Sequence, residues 1–564
     1  MNKNRLQSMT GGQAIVETLK AEEVKYIFGL IGSATMDLFD ALYKNKNIKF
    51  IDVRDERTGT HMAEGYARAS GKAGVIIAGQ NGPGVTNLIT GIAQAYKSFS
   101  PLISLGGDVA SEHEGKDSFQ EIDQQKIFDP ITKKTIKIKD VNKIPYTINQ
   151  AFKIALSNRN GPIHINLPRD VLSAKGYFKK FVKHTKIKIP KISQKDLLQI
   201  IRIINNSFKP VIIAGGGIKN KNNYKEVIEL AKKTNIPIVS SAGHGDVIPF
   251  NEKLYNGQMG PRGNQVATQL VKESDLIIAL GTRLGFNSTF YSSKIIDKNT
   301  SIIQIDIEKI ALGRYFPISL GVCGDAGDIA KKICKKIKKI KNSKKIKNWT
   351  DSWIKKRKNY LKERDKSANL TSKPIQPTGI FKILRETLPL NSAVTLDAGT
   401  LCLQATDMLN FSKPKSLFTP LDFGLVGFSF ACGLGVKLAK PNYNVISLMG
   451  DGGFGMTISE LSTAVKYNIN TITIVMNNKS WGAEKAYQKE YFNKRYIGSD
   501  IDSPPFHKLA ELYGAIGFNV KKLSDFKRTF KKALKCKKPV IIDVEVDPSA
   551  IYSFRKDSFN KNKN

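Results

Sequence analysis

No stretch of about 18 apolar residues occurs among the 564 of this chain, so a membrane-spanning helix is excluded. Cysteine is scarce and scattered. Cys323, Cys334, Cys402, Cys432 and Cys536 form no CxxC pair and no metal spacing, and the odd count argues against a disulfide framework. They read as free thiols in a reducing compartment. Met1 to Lys25 lacks an apolar run and a cleavage signal, so no leader is expected and the cytoplasm is the expected location. Histidine is also rare, with six residues and no adjacent pair. Acidic residues number 49 against 89 Lys and Arg, a formal net charge of +40.

Taken alone, that charge points to nucleic acid or an anionic surface. The excess is not localised, however. Lys, Asn and Ile are over-used in loops and strands alike, as AT-rich coding produces. The densest basic run, Lys331 to Lys366, reads as a helix end and a linker, and it lacks aromatics at a stacking spacing. Neither a nucleic-acid nor a membrane partner is expected. A basic surface would still draw in small anionic substrates.

What is present is a repeated alternation of short apolar runs with helical patterns. Tyr26–Gly32, "IKFIDV", Ala73–Gly79, "PLISLGG" and "PIHINLP" read as buried strands of a parallel sheet covered on both faces. Ala14–Glu22, Thr35–Leu42 and a segment from Val85 read as helices. The Lys-rich stretch Ala174 to Lys191 reads as a boundary. The pattern restarts with Pro210–Gly217, "IPIVSS", Asp275–Gly281 and Ser301–Ile307, and again from Pro377 with Ala393–Gly399, Asn444–Gly452, Thr471–Asn478 and Pro539–Asp547. The expected fold class is α/β: three doubly wound parallel-sheet domains over 1–175, 190–345 and 375–555. No short-period repeat links the first and third units.

The strongest local signal runs from Gly450-Asp451-Gly452 to Asn477-Asn478. The glycines stand where a buried strand ends and let the backbone approach an anion. A helix expected from about Ile458 would turn its N-terminus towards negative charge. Asp451 is then a hard oxygen ligand at a strand's carboxyl end, where open α/β sheets place ligands. Asn478 follows 27 residues later, delivered by the next strand to the same edge. A carboxylate, an amide oxygen, a backbone carbonyl and two phosphate oxygens suit octahedral Mg²⁺.

This motif resembles the thiamine-diphosphate (ThDP)-dependent family that includes acetolactate synthase, and the resemblance extends over nearly the whole chain. It implies pyrimidine-binding, central and diphosphate-binding domains, with ThDP and Mg²⁺ as cofactors. It implies Asp451, Asn478 and the Ser480 carbonyl as metal ligands, with Gly450, Gly452 and Gly453 beside the cofactor. Glu56, in "VRDERTGTHMAEGYARASGK", is the implied catalytic carboxylate that hydrogen-bonds the aminopyrimidine ring; Asp55 is its competitor. Such a group should be buried, with a raised pKa. "GQNGPGVTN" (Gly79–Asn87) matches the family's glycine loop, and "FQE" implies Gln120. In "FGLVGFSF", Gly424 is implied to offer a carbonyl to the cofactor and Val426 to prop its bend. Gly399 and Thr400 are implied to touch the diphosphate. A shared site implies a homodimer or homotetramer.

Within the family, Trp481–Lys485, "IIQIDI", "PISLGVCGDA" and Phe554–Phe559 resemble sulfoacetaldehyde acetyltransferase. That similarity implies sulfoacetaldehyde and phosphate as substrates. Lys485, Arg283, Arg314 and Arg555 are the candidate anion-binding cations, because guanidinium geometry suits sulfonate and phosphate. "RDERTGTH" and "SAGHGDV" depart from that pattern. The alternatives are acetolactate synthesis from pyruvate and a simple 2-oxoacid decarboxylase, to which the lack of paired histidines is unfavourable. A non-catalytic regulatory or nucleic-acid-binding protein would not need Glu56, Asp451 and Asn478 together. FAD, carried by some relatives, is possible, but the central "GGG" and "GTRLGF" segments do not require it.

Overall fold

Val-, Ile- and Leu-rich runs that are buried on both faces pair into three six-stranded sheets, all of them parallel. The computed structural model describes residues 6–219, 223–261, 263–368, 370 and 373–551, without the side chains of 401–403. Among these residues no helix is long and apolar enough to cross a membrane.

In the first sheet the strands lie in the order Lys49–Asp52, Tyr26–Leu30, Gly74–Ala78, Leu102–Asp108, Ile163–Pro168 and Lys134–Lys137. In the third the order is Leu417–Phe418, Ser392–Leu396, Asn444–Gly450, Ile472–Asn477, Val540–Glu545 and Ile516–Val520. Numbered within each unit, both read 2-1-3-4-6-5. The relationship that no sequence repeat revealed is a shared topology. The central sheet differs: Tyr255–Gln258, Ile238–Ser240, Pro210–Ala214, Leu276–Leu280, Ser301–Asp306 and Leu320–Cys323 lie in the order 3-2-1-4-5-6.

The equivalence carries into packing. Helix Glu56–Ser70 follows the second strand of the first unit, and helix Ser429–Ala439 follows the second strand of the third. These two helices lie against each other. A Cβ on Gly65 would stand 2.2 Å from the Cys432 carbonyl, and one on Gly435 would stand 1.9 Å from the Met62 carbonyl. Side chains larger than hydrogen would drive the helices apart. One apolar core therefore serves both units, joining Phe28, Met62 and Ile76 to Phe430, Leu434 and Phe454. The central unit keeps two cores to itself.

Two expectations need correction. The first unit runs on past 175, because Lys175–Phe178 pairs antiparallel with Gln7–Thr10. The supposed basic linker is largely a 25-residue helix, Ser343–Ser367. Ile346 and Trp353 are buried along it, and Trp349 Nε1 donates to the Pro210 carbonyl at 3.2 Å. Lysines on the remaining faces hid this stripe. Near its end, Arg364 donates to the Asp407 carbonyl at 2.7 Å, so the helix also braces the third unit.

Candidate active site

In an open α/β sheet, the crevice lies where strand order reverses, outside the carboxyl ends of the strands. In the third unit that point falls between Ser392–Leu396 and Asn444–Gly450. A cavity of about 600 Å³ opens there, within the usual range for a small-molecule site. Gly399, Thr400, Gly424, Val426, Gly450, Asp451, Gly452, Gly453, Asn478 and Ser480 all line it. They are every third-unit residue that the family resemblance implied for cofactor or metal. Gly399 and Gly424 have φ values of +123° and +75°, which disfavour any side chain, and a Cβ on either would meet nothing within 4 Å. The backbone is thus bare towards open space.

The expected helix is present as a 3₁₀ turn, Ile458–Glu460, continued by Leu461–Lys466, and a short helix ahead of it begins at Asp451 itself and ends at Gly455. Gly450 caps it with extended backbone. Asp451 is buried, and its Oδ2 accepts the Ser503 hydroxyl at 2.6 Å. Its Oδ1 faces Asn478. With the amide oxygen turned inward, Asn478 Oδ1 lies 3.2 Å from Asp451 Oδ1 and 3.1 Å from the Ser480 carbonyl. Reversing the amide would satisfy the same contacts as hydrogen bonds. With the oxygen inward, three oxygens converge on a point that demands positive charge, and a cation there selects that orientation. Adjacent oxygens around octahedral Mg²⁺ are about 3 Å apart, from metal–oxygen bonds of about 2.0–2.1 Å. The chemistry and spacing of this donor set fit the ion. Burial pushes the Asp451 carboxyl above its ordinary range, a shift that an adjacent cation opposes.

Glu56 is the first residue of its helix, after Asp55, whose carboxylate caps it by accepting the Arg57 amide at 2.7 Å. It is only 3% exposed. Burial raises its pKa, against one hydrogen bond from Asn87 Nδ2 to Oε2 at 3.0 Å. Gly84 lies so close that a Cβ there would stand 3.0 Å from Glu56 Oε1. Gln120 lies across the same glycine loop: Asn81 Nδ2 donates to its carbonyl at 3.1 Å, and its side chain accepts from Gln80. The structure therefore gathers Glu56, Gln120 and the 79–87 loop in one place. Neither Glu56 nor Gln120 lines the third-unit cavity of the same chain, whose only first-unit wall residue among the described residues is Lys97.

The four proposed anion-binding cations are scattered. Arg283 lines the cavity but is paired with Asp422 at 3.1 Å. Arg314 is exposed and lies against the Tyr315 ring, 5.3 Å from its centre, without reaching the wall. Lys485 is off the wall as well, being held by an ion pair to Asp500. It follows Asn478 closely in sequence, but the helix Gly482–Tyr491 carries it away. Arg555 and the segment Phe554–Phe559 lie outside the described residues.

Sequence reasoning missed two supports. Asp397 is buried between the GDG helix and the 424–428 turn, where it accepts the amides of Gly427 at 2.9 Å and Phe428 at 2.7 Å. The only signal was an Asp two residues ahead of a glycine at a strand's end. Ser503 belongs to a segment that braces the Asn478–Trp481 loop, with the Trp481 amide donating to the Ser499 carbonyl at 2.8 Å. Nothing local marked it. A second cavity of about 750 Å³, walled by all three units, includes Gly216, Gly217 and Gly281 of the central one and shares Arg283 and Asp422 with the first cavity.

Comparison with known proteins agrees with this geometry. Three family models match: thiamine pyrophosphate enzyme N-terminal TPP binding domain over residues 9–127, central domain over 197–333, and C-terminal TPP binding domain over 397–544. The chain is 34% identical to a probable acetolactate synthase large subunit of Methanocaldococcus jannaschii, covering 96% of this chain and 92% of that one. It is 34% identical to the acetolactate synthase large subunit of Buchnera aphidicola subsp. Schizaphis graminum, covering 96% of each. It is 32% identical to the sulfoacetaldehyde acetyltransferase of Castellaniella defragrans, covering 99% and 96%.

Proposed function

The chain belongs to the thiamine pyrophosphate enzyme family, and from that premise we propose that it joins or cleaves 2-oxoacids, as its acetolactate synthase relatives are named for doing. The observation that carries the reading is the convergence of Asp451, Asn478 and Ser480 oxygens beneath a cavity lined by bare glycine backbone.

Asp451, Asn478 and the Ser480 carbonyl would hold Mg²⁺, and the ion would hold the cofactor's diphosphate. Gly399, Thr400 and the GDG backbone would receive that diphosphate. Gly424 would offer its carbonyl, and Val426 would support the cofactor from below. When bound, ThDP supplies a nucleophilic carbon and an electron sink for carbonyl chemistry. Glu56 would move the proton on which that nucleophile depends, and its raised pKa suits a group that shares one. Because Glu56 and the metal cluster do not face one cavity in a single chain, we infer that a second copy completes each site.

The choice of substrate rests on charge. A 2-oxoacid brings one carboxylate, which Arg283 on the wall can meet by exchanging its Asp422 partner for it. A sulfonate and a phosphate together need more fixed cations, and Lys485 is already neutralised by Asp500. The second reading, phosphate-dependent cleavage of sulfoacetaldehyde, is supported by the likeness to the Castellaniella enzyme, which covers 99% of this chain.

One assay separates them. Purified protein with ThDP and Mg²⁺ is given pyruvate, or sulfoacetaldehyde plus phosphate. Acetolactate without sulfite is expected. Sulfite and acetyl phosphate without acetolactate would establish the second reading instead.

A further inference from the structure

The turn that presents Glu56 is gripped by the third unit of the same chain. Glu460 Oε1 accepts the backbone amide of Arg54 at 2.8 Å, that of Asp55 at 3.1 Å, and the Thr58 hydroxyl. Its Oε2 accepts the Thr463 hydroxyl at 2.8 Å. Nearby, Lys466 reaches Asp52 at 2.8 Å, and Arg57 donates to the Met456 carbonyl at 3.1 Å. Glu460 has no exposed surface. A carboxylate with no exposed surface is unfavourable unless its lone pairs are used. Here four donors use them, and two are the consecutive amides just ahead of Glu56. Packing alone would be met as well by an apolar side chain.

We propose that Glu460 is a positioning residue for Glu56: by fixing the amides of Arg54 and Asp55, it aims the Glu56 carboxylate out of the first unit towards the bound cofactor. The inference rests on reading Glu56 as the cofactor's proton partner. Asp55 caps the helix and Glu56 opens it, so the direction of the Glu56 side chain follows from the backbone that Glu460 holds. Proton transfer depends steeply on placement, and an error of about 1 Å can cost about 10²-fold. Glu460 touches no part of the third-unit cavity, so its effect would pass wholly through Glu56.

Glu460→Ala removes the acceptor. Glu460→Asp shortens the arm, and Glu460→Gln keeps one oxygen towards the amides and turns an N–H₂ towards the Thr463 oxygen. Three quantities are read: amide hydrogen exchange over residues 52–58 without cofactor, ThDP affinity by calorimetry with Mg²⁺, and the rate of C2–H exchange in bound ThDP. For Glu460→Ala and Glu460→Asp, faster amide exchange is expected. C2–H exchange should fall at least tenfold, with ThDP affinity within threefold of wild type. Glu460→Gln should restore C2–H exchange to within threefold. If neither Ala nor Asp variant folds, Thr58→Val, which removes one donor to the same oxygen, is read for the same loss. C2–H exchange within threefold of wild type in any folded Ala, Asp or Val variant would overturn the proposal. So would a loss of exchange that only tracks weakened ThDP binding. Wild-type protein that shows no C2–H exchange would refute the ThDP reading itself. Wild-type exchange without pyruvate turnover would refute only the substrate.

Discussion

Asp397 Oδ2 occupies the space beside Gly453 so closely that a Cβ on the glycine would stand 2.2 Å from it. The same oxygen accepts the Gly427 amide. One carboxylate thus ties the GDG helix to the turn that carries Gly424 and Val426.

Gly453→Ala should therefore damage the site more than the fold. The added methyl must displace Asp397, which would release the 424–428 turn. We expect ThDP affinity to fall at least tenfold while the thermal midpoint drops by only a few degrees, as a local cost of about 1–3 kcal/mol implies. Calorimetry and thermal melts check this. Unchanged ThDP affinity would show that the turn is held by other contacts.

Asp397 also gives a pH signature. Burial pushes its carboxyl up to about 6 from an ordinary 3.8, against backbone amides that pull it down. A folded pKa above the unfolded one means that its contribution is fully present below pH 3.8 and is lost as pH rises through about 6. The difference at neutral pH is on the order of 3 kcal/mol. Without cofactor, the wild type should lose stability relative to Asp397→Asn between pH 4 and 7. A constant offset between the two melting curves across that range would refute the assignment.

How much of this was readable in advance depended on whether a short motif marks both ends of a contact. Gly450-Asp451-Gly452 and Asn478 announced themselves because one helix and one strand link two recognisable turns. Asp397 and Ser503 did not, since the turn at Gly427 and the loop at Ser503 carry no such mark. Lys485 misled because nearness to Asn478 is not direction, and its partner Asp500 was invisible without the fold. The buried strands showed as apolar runs. The edge strands Lys134–Lys137 and Lys175–Phe178 did not, because exposure on one side admits lysine and tyrosine. Leu417–Phe418 is too short to leave any pattern.

Glu56→Gln keeps the side chain's shape and its contact with Asn87 but cannot share a proton. Turnover should fall by about 10²–10⁴, with ThDP binding retained within a few-fold. A variant within a few-fold of wild-type turnover would remove Glu56 from the chemistry.

Asp451→Ala removes the only carboxylate of the three-oxygen cluster. ThDP binding at millimolar Mg²⁺ should become undetectable by calorimetry. Ordinary affinity in this variant would mean that the converging oxygens serve another purpose.

Lys485→Ala and Arg283→Ala should behave oppositely. Lys485 is off the cavity wall and neutralised, so the KM for the 2-oxoacid should stay within threefold. Arg283 lines the wall, and its loss should raise that KM at least tenfold with ThDP binding intact. Steady-state kinetics on both variants decide the matter, and the reverse ranking would return Lys485 to the substrate.

The helix pair Glu56–Ser70 and Ser429–Ala439 has a consequence for synthesis. The ribosome releases the first helix about 360 residues before the second, roughly 20–70 s earlier at ~5–20 residues per second. Throughout that interval the bare glycine and methionine face of the early helix has no partner, while the central unit, with its own cores, can already fold. Nascent chains should therefore need sheltering along this seam, and truncations between residues 179 and 428 should yield aggregation-prone fragments even though their first sheet is complete.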